Sequence, residues 1–346
     1  MATASALPSD QRSALLAAKL RALVSRHPEG TTEVTEAGSL AGAVTLAGGG
    51  RGWVYVEEEA HRALGPALAW ARRRGLALEL VDAAAAEGAS VAARRAVAFR
   101  DRPRVWSIAG TELAPAEPAP YPELPAAVPE AAATLVEVLA AEGVEVVLED
   151  GQVVGEVLGL EVARVVVDDE GEARLEVGVG RYDREVVSMV HGGMTAAESL
   201  ATVAGIVRRH RAEGAPMHQL NRLAPERWLR ALLVADPGRI GVADLVPLPS
   251  VAGRRGLREI EPAAAVGRTA AGSPVVVVCS VGIDLDVVPA AADARAWWAG
   301  STGVDPATVG LRVVVPERDA HPVTADLVAA LDHPGEVVTV PATWRG

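Results

Sequence analysis

Near each end of this chain, short valine-rich runs alternate with helical segments, and this alternation constrains the fold more than any other feature. In the first part of the chain, the strand-like runs lie at 53–57, 76–82 and 104–110, with helical segments at about 59–75 and 89–99. Near the other end, the runs PVVVVCSV, LRVVVPE and EVVTV are separated by helical segments at about 289–299 and 322–331. Strands that alternate with helices favour parallel sheets. We therefore predict an α/β protein in which residues 1–110 and 241–346 each contain a β-α-β-α-β segment.

The middle of the chain has a different order of elements. Residues 111–129 contain six prolines, which favour a linker over regular structure. The segment 130–240 then opens with a helical pattern, continues through strand-like runs joined by short turns, and returns to helical sequence. The predicted elements are a helix at 130–142, strands at 144–148, 153–167 and 173–179, and a helix at 194–212. This α-β-β-β-α order, with antiparallel strands, predicts a central unit flanked by the two α/β segments.

Cysteine and lysine usage exclude whole classes of chemistry. Cys279 is the only cysteine, which excludes an intrachain disulfide and a zinc site built from cysteines. Lys19 is the only lysine, so a mechanism that needs a cation must use Lys19 or an arginine. No apolar run approaches the ~20 residues of a membrane span, and the first residues lack the pattern of a secretory signal. We expect a cytoplasmic protein that does not bind membranes.

The charge of the chain is unevenly distributed. The net charge is −12, which argues against avid, non-specific binding of nucleic acid. Residues 126–180 nevertheless contain 13 acidic and 2 basic residues, whereas residues 181–260 contain 8 acidic and 12 basic ones. An acidic block followed directly by an arginine-rich one is compatible with a metal-assisted site for nucleic acid or another phosphate-bearing substrate.

Two carboxylates interrupt the apolar runs of the acidic block. Glu161 lies in the first run of the hairpin at 155–185, and Glu176 lies in the second. A carboxylate buried in a sheet is costly unless a cation, a metal ion or a hydrogen-bond network compensates its charge. Two of them on adjacent strands indicate either a metal site or internal ion pairs.

The hairpin also resembles a known nuclease core. Residues 159–165, which read GLEVARV, and residues 175–180, which read LEVGVG, resemble the second and third strand motifs of the PD-(D/E)XK nuclease superfamily. The resemblance covers residues 130–210. It implies an α-β-β-β-α core in which carboxylates hold Mg²⁺ beside the scissile phosphate. In this chain Gly178 stands where the motif has its lysine, so the resemblance requires an arginine as the cation near the phosphate.

The resemblance assigns roles to individual residues. Glu161 and Glu176 are the implied catalytic carboxylates and metal ligands, with Glu156, or Glu137 and Glu142 on the preceding helix, as a further ligand. The implied cations are Arg184 as the catalytic residue and Arg181 and Arg164 as residues that contact the substrate. The leading hypothesis is thus a divergent PD-(D/E)XK-like protein, active or degenerate, that acts on nucleic acid with Mg²⁺.

The residues leave two other functions open. In one, Glu161 pairs with Arg164 or Arg174 and Glu176 pairs with an arginine, and the chain is a non-catalytic protein that binds a partner or a second copy of itself. In the other, the chain binds a nucleotide or small molecule through carboxylates that follow the strands of the last segment, where open α/β sheets collect ligands. Those carboxylates are Asp284, Asp286, Glu317 and Asp319.

Overall fold

The protein has an α/β fold in which the described residues form two compact units. The computed structural model describes residues 9–28, 35–40, 43–84, 86–124, 128–149, 151–168, 170–180, 194–252 and 256–345. The first unit comprises the described residues of 1–120, 288–293 and 322–334, and the second comprises those of 121–287, 294–321 and 335–346. The first unit is therefore discontinuous in sequence.

Eight α-helices and three β-sheets lie within the described residues. The helices are α1 (Ser9–Arg26), α2 (Ala60–Arg73), α3 (Ala86–Ala96), α4 (Ala133–Ala141), α5 (Ala196–His210), α6 (Pro225–Ala235), α7 (Val287–Thr302) and α8 (Pro322–Ala329). The strands of the first sheet are β1 (Glu36–Leu40), β2 (Ala43–Gly48), β3 (Arg51–Val56), β4 (Ala77–Asp82), β5 (Arg104–Ala109) and β6 (Glu112–Pro115). Those of the second are β7 (Glu145–Glu149), β8 (Gln152–Val157), β9 (Leu160–Val167) and β10 (Ala173–Val177), and those of the third are β11 (Val242–Leu248), β12 (Ala263–Thr269), β13 (Pro274–Cys279), β14 (Gly310–Pro316) and β15 (Glu336–Val340).

The first sheet contains the predicted parallel strands. β3, β4 and β5 are parallel neighbours, and β1, β2 and β6 extend the sheet with antiparallel pairs. The predicted linker therefore begins with a strand, β6. Apolar residues of α1 at helical spacing, Leu16, Leu20 and Leu23, are buried in one cluster with Trp53 and Trp106 of the sheet. This helix covers one face of the sheet.

Residues from distant parts of the sequence complete the first unit. On α3, Arg94 donates two hydrogen bonds of 2.9 Å to the carboxylate of Asp293, and Arg95 donates one of 3.3 Å. All three side chains are buried. A backbone bridge also joins Phe99 to Leu331. Buried charges require partners, so the packing of α3 depends on Asp293.

The third sheet repeats the strand order of the first. Two antiparallel strands, β11 and β12, which the sequence did not predict, precede the predicted parallel neighbours β13, β14 and β15. Valines of β13 are buried with Trp228 and Trp344 in the core of this region. Strands buried on both faces read as nearly continuous apolar runs, which explains why this sequence predicted them well.

The second sheet has four antiparallel strands in the order β10-β9-β8-β7. The prediction of one long strand at 153–167 was wrong, because Leu158 and Gly159 form a turn between β8 and β9 with φ angles of 47° and 71°. The central order is thus α-β-β-β-β-α over the described residues. Gly159 is required there: a Cβ atom would lie 2.2 Å from the backbone of Arg227.

One face of the second sheet is apolar and is covered by α4 and α5. Leu139, Val144, Leu200 and Val203 are buried in one cluster with the valines of the sheet. Gly155 allows this close packing, since a Cβ atom there would lie 2.8 Å from Leu139. Among the described residues, no helix is long and apolar enough to cross a membrane.

Candidate functional site

A β-bulge determines where the predicted site residues point. The pairing of β8 with β9 shifts register next to Gly155, so that Glu156 lies opposite Glu161 and Val162 is the extra residue. Side chains alternate between faces along a regular strand, and without the bulge Glu161 and Arg164 would project from opposite faces. The bulge places both on the same face.

The register of the four strands brings most charged residues of the sheet to that face. Residues directly opposite each other on neighbouring strands share a face. We call this surface the charged face; its polar residues are Glu145, Glu149, Gln152, Glu156, Glu161, Arg164, Arg174 and Glu176. It lies opposite the apolar face that packs on α4 and α5. The structure thus places the three predicted metal ligands, Glu156, Glu161 and Glu176, on one side of the sheet.

Glu161 forms an ion pair with Arg164. The Nε and Nη2 atoms of Arg164 each donate a 3.1 Å hydrogen bond to one of the two carboxylate oxygens of Glu161. The same guanidinium donates a 2.7 Å bond to Gln152. Glu161 is only 5% exposed, and this two-pronged geometry is a strong form of carboxylate recognition. The guanidinium of Arg164 is therefore hydrogen-bonded within the sheet, to Glu161 and Gln152.

Glu176 has a more open environment. It accepts a 2.9 Å hydrogen bond from Arg174, and the side chains of Glu176 and Arg174 are 34% and 63% exposed. Such a pair contributes little to stability. The predicted cations Arg181 and Arg184 lie outside the described residues.

Glu156 is fully buried and lies between two arginines of α6. Arg227 donates to one carboxylate oxygen of Glu156, and Arg230 donates to the other at 2.7 Å. Arg227 also donates to Glu149, which is itself buried. We call Glu149, Glu156, Arg227 and Arg230 the buried ion cluster. It joins the charged face to α6, whose side chains Trp228 and Leu229 pack in the core of the third sheet region.

The opposite charges of this cluster stabilise each other. Burial by itself lowers the pKa of Arg227, but the nearby charges of Glu156 and Glu149 and their hydrogen bonds outweigh it and raise the pKa above its usual value. At Glu145, on the same face, burial raises the pKa of the carboxyl, while Arg230 partly opposes that rise. The guanidinium of Arg227 therefore stays charged throughout the physiological range.

Sequence reasoning did not identify Glu149, Arg227 or Arg230 as site residues. Arginines three residues apart on an amphipathic helix usually belong to its solvated face, and in the α6 sequence PERWLRALLVA the only other charged residue is Glu226. The missing information is that α6 is buried on nearly all sides, with Glu226, Arg227 and Arg230 all less than 9% exposed.

The charged face does not form a metal-binding group in the described part of the chain. Within those residues, no cluster of three or more His, Cys, Asp or Glu side chains could hold a metal ion. Mg²⁺ prefers several carboxylate or water oxygens in octahedral geometry. Here guanidiniums occupy the oxygens of Glu156 and Glu161, so these residues as arranged fit arginine rather than Mg²⁺.

The carboxylates of the last segment stabilise loops. Asp319 accepts a 2.7 Å hydrogen bond from the backbone N–H of Gly282, and Asp284 accepts a 2.9 Å bond from that of Asp286. Glu317 is exposed in a short 3₁₀ turn after β14. These contacts are typical of turns in which side chains satisfy backbone donors.

Comparison with known proteins does not assign a function to this site. No family model, no curated protein and no solved structure matches the chain.

Proposed function

We propose that this chain is a non-catalytic binding or assembly protein, in which the charged face of the second sheet is a structural element. The observation that carries the proposal is the position of Glu156, which is fully buried between Arg227 and Arg230. A residue held in this way stabilises the fold and is not accessible to a substrate.

The energetics of metal binding support this proposal. A metal ion that took over Glu156 and Glu161 would displace the guanidiniums of Arg227, Arg230 and Arg164 from their carboxylates. Leaving a buried charge without its partner costs about 3–5 kcal/mol. Mg²⁺, which gives up its hydration water reluctantly, would have to offset this cost in addition to its own dehydration.

The available cations also support a non-catalytic role. The only lysine, Lys19, belongs to α1 of the first unit, where its ammonium lies 5.3 Å from the ring centre of Tyr55. Arginine stays protonated at any physiological pH and cannot transfer a proton. An electrostatic role is all that Arg164 can offer at this face.

The test is a paired measurement of cleavage and metal binding. The purified chain is incubated with single-stranded DNA, double-stranded DNA and RNA in Mg²⁺ or Mn²⁺, and the unfolding midpoint is measured with and without each metal. We expect no cleavage and no metal-dependent shift. Light scattering on the same sample reports assembly against a monomer mass of 35.7 kDa. A strict monomer that cleaves nucleic acid would overturn the proposal.

A divergent metal-dependent phosphodiesterase is the second candidate. The observation that favours it is the register, which brings Glu156, Glu161 and Glu176 to one face. Glu176→Gln is the decisive variant, because Glu176 is half exposed and its loss leaves the buried ion cluster intact. Metal-dependent cleavage that disappears in Glu176→Gln but persists in Glu170→Gln, an exposed turn variant, would establish this candidate.

A further inference from the structure

The first unit contains an arginine-lined cleft that none of the functions above uses. Its cavity of about 400 Å³ lies at the end of the first sheet where β3 and β4 begin. The charged residues that line it are Arg51, Glu79, Arg102 and Arg104. Its volume is in the range of small-ligand pockets.

Strand register brings the charged residues of the cleft to one face. Arg51 is opposite Ala77 on β4, and Glu79 is opposite Arg104 on β5. Because Ala77 and Glu79 are two residues apart, Arg51, Glu79 and Arg104 share a face of the sheet. The pairing of the strands therefore brings the side chains of Arg51, Glu79 and Arg104 close together.

A buried carboxylate orients the arginines. Glu79 is 1% exposed and accepts hydrogen bonds from Arg51, from Arg104 and, at 2.8 Å, from the indole N–H of Trp106. The side chains of Arg51 and Arg104 remain 29% and 37% exposed. Glu79 thus holds Arg51 through one nitrogen and Arg104 through two, while part of each arginine side chain stays exposed.

The charge of the cleft is positive. Three guanidiniums, those of Arg51, Arg102 and Arg104, line it with one carboxylate, that of Glu79. Arg102 is 65% exposed and lies 4.0 Å from Asp332, a loose surface contact that contributes little. The planar guanidinium group of arginine matches the geometry of the phosphate oxygens and can donate more than one hydrogen bond to them. A group with two negative charges would balance the excess.

We propose that this cleft binds a phosphate group, supplied either by inorganic phosphate or by a phosphate monoester. Glu79 holds Arg51 and Arg104 in place, and Arg102 at the rim completes the set of donors. The site goes beyond the function proposed above, since the first unit contains none of the residues of the charged face.

Titration calorimetry tests the site on the full chain. Inorganic phosphate, glycerol phosphate and acetate are titrated separately at constant ionic strength set with chloride. We expect saturable binding of phosphate or its ester and none of comparable affinity for acetate. The tighter of the two phosphate ligands identifies the source. Absence of saturable binding with a dissociation constant below about 1 mM, or acetate binding as tightly as phosphate, would overturn the proposal.

Two variants locate the binding. Arg102→Gln removes an exposed rim arginine that holds no buried partner, and we expect at least about tenfold weaker binding, since one charge-assisted hydrogen bond to the ligand is lost. Arg12→Gln is the matched control, because Arg12 pairs with Glu57 just beyond the other end of β3. Equal weakening in both variants would indicate a general charge effect and contradict the site. Arg104→Lys keeps the charge but loses the fork, and unchanged affinity there would contradict the role of Arg104.

Discussion

Replacing Arg227 by methionine should destabilise the second unit strongly. The substitution keeps a long apolar side chain but removes the guanidinium that bonds Glu149 and Glu156. Glu156 keeps Arg230 at 2.7 Å, whereas Glu149 loses the charge partner that it has in the buried ion cluster. The two carboxylates are 6% and 0% exposed, so neither can recover its hydration without local unfolding.

The magnitude follows from the burial of the cluster. Breaking a buried ion pair by removing one partner costs about 3–5 kcal/mol. For a unit of this size, each 1 kcal/mol lowers the unfolding midpoint by roughly 2–4 °C. Arg227→Met should therefore lower the midpoint of the second unit by about 6–20 °C, measured by near-ultraviolet circular dichroism, which reports the packing of Trp228 against Trp344 at 5.0 Å.

Two further variants separate the charge effect from a loss of packing. Arg239→Met removes an exposed arginine paired with Asp236 at 3.0 Å, and it should cost less than about 1 kcal/mol. Adding Glu149→Gln to Arg227→Met removes the carboxylate that was left without a partner, and part of the stability should return. If Arg227→Met behaves like Arg239→Met, or if the second change brings no recovery, the buried ion cluster does not stabilise the unit as argued.

Three other predictions concern the same unit. Burial raises the pKa of Glu145, so the stability that Glu145 contributes is fully present below the ordinary pKa of 4.5 and is lost as pH rises through the pKa of the folded state. Glu145→Gln should therefore be more stable than wild type at pH 8 and equally stable at pH 4. Urea titrations in which the two proteins do not converge at pH 4 would contradict this. Burial raises the pKa of the Cys279 thiol to about 12, so a thiol reagent at pH 8 should label the chain only after denaturant is added, and rapid labelling of the native chain would refute it. Gly159→Ala should lower the free energy of unfolding by about 2–4 kcal/mol, because of left-handed strain and overlap with Arg227. Gly151 also has a positive φ, of 74°, but there is open space around its Cβ position, so Gly151→Ala should cost only about 1–2 kcal/mol. Equal midpoints of the two variants in denaturant would argue against the overlap.

The central parallel strands could be predicted from sequence because they are buried on both faces. β13, with the sequence PVVVVC, is buried over five of its six residues, and β14 contains the buried run VVVP. The edge strand β15 is partly exposed, and its valine-rich sequence EVVTV identified it. The turn between β8 and β9 could not be predicted, because Leu158 carries no turn signal and adopts a positive φ. Its conformation is stabilised by tertiary packing against α6, which a local pattern does not encode.

The candidate site could be predicted only in part, for a similar reason. The pairing of Glu161 with Arg164 was one of the expected alternatives, but its geometry depends on the bulge at Val162, which reverses the side-chain alternation. The partners of Glu156 lie more than seventy residues away, at separations of 71 and 74. The local sequence gives no indication of the pairing of Arg227 and Arg230, which follows from the burial of α6.

The discontinuity of the first unit has a consequence for its biosynthesis. Arg94 and Asp293 are 199 residues apart in sequence. At 5–20 residues per second, a ribosome adds Asp293 roughly 10–40 s after Arg94. During that interval the first six strands exist without the carboxylate that Arg94 and Arg95 share in the folded chain. The part of the protein that is made first therefore cannot complete its packing until late in synthesis, and a chain that ends before residue 288 lacks the carboxylate that both guanidiniums share.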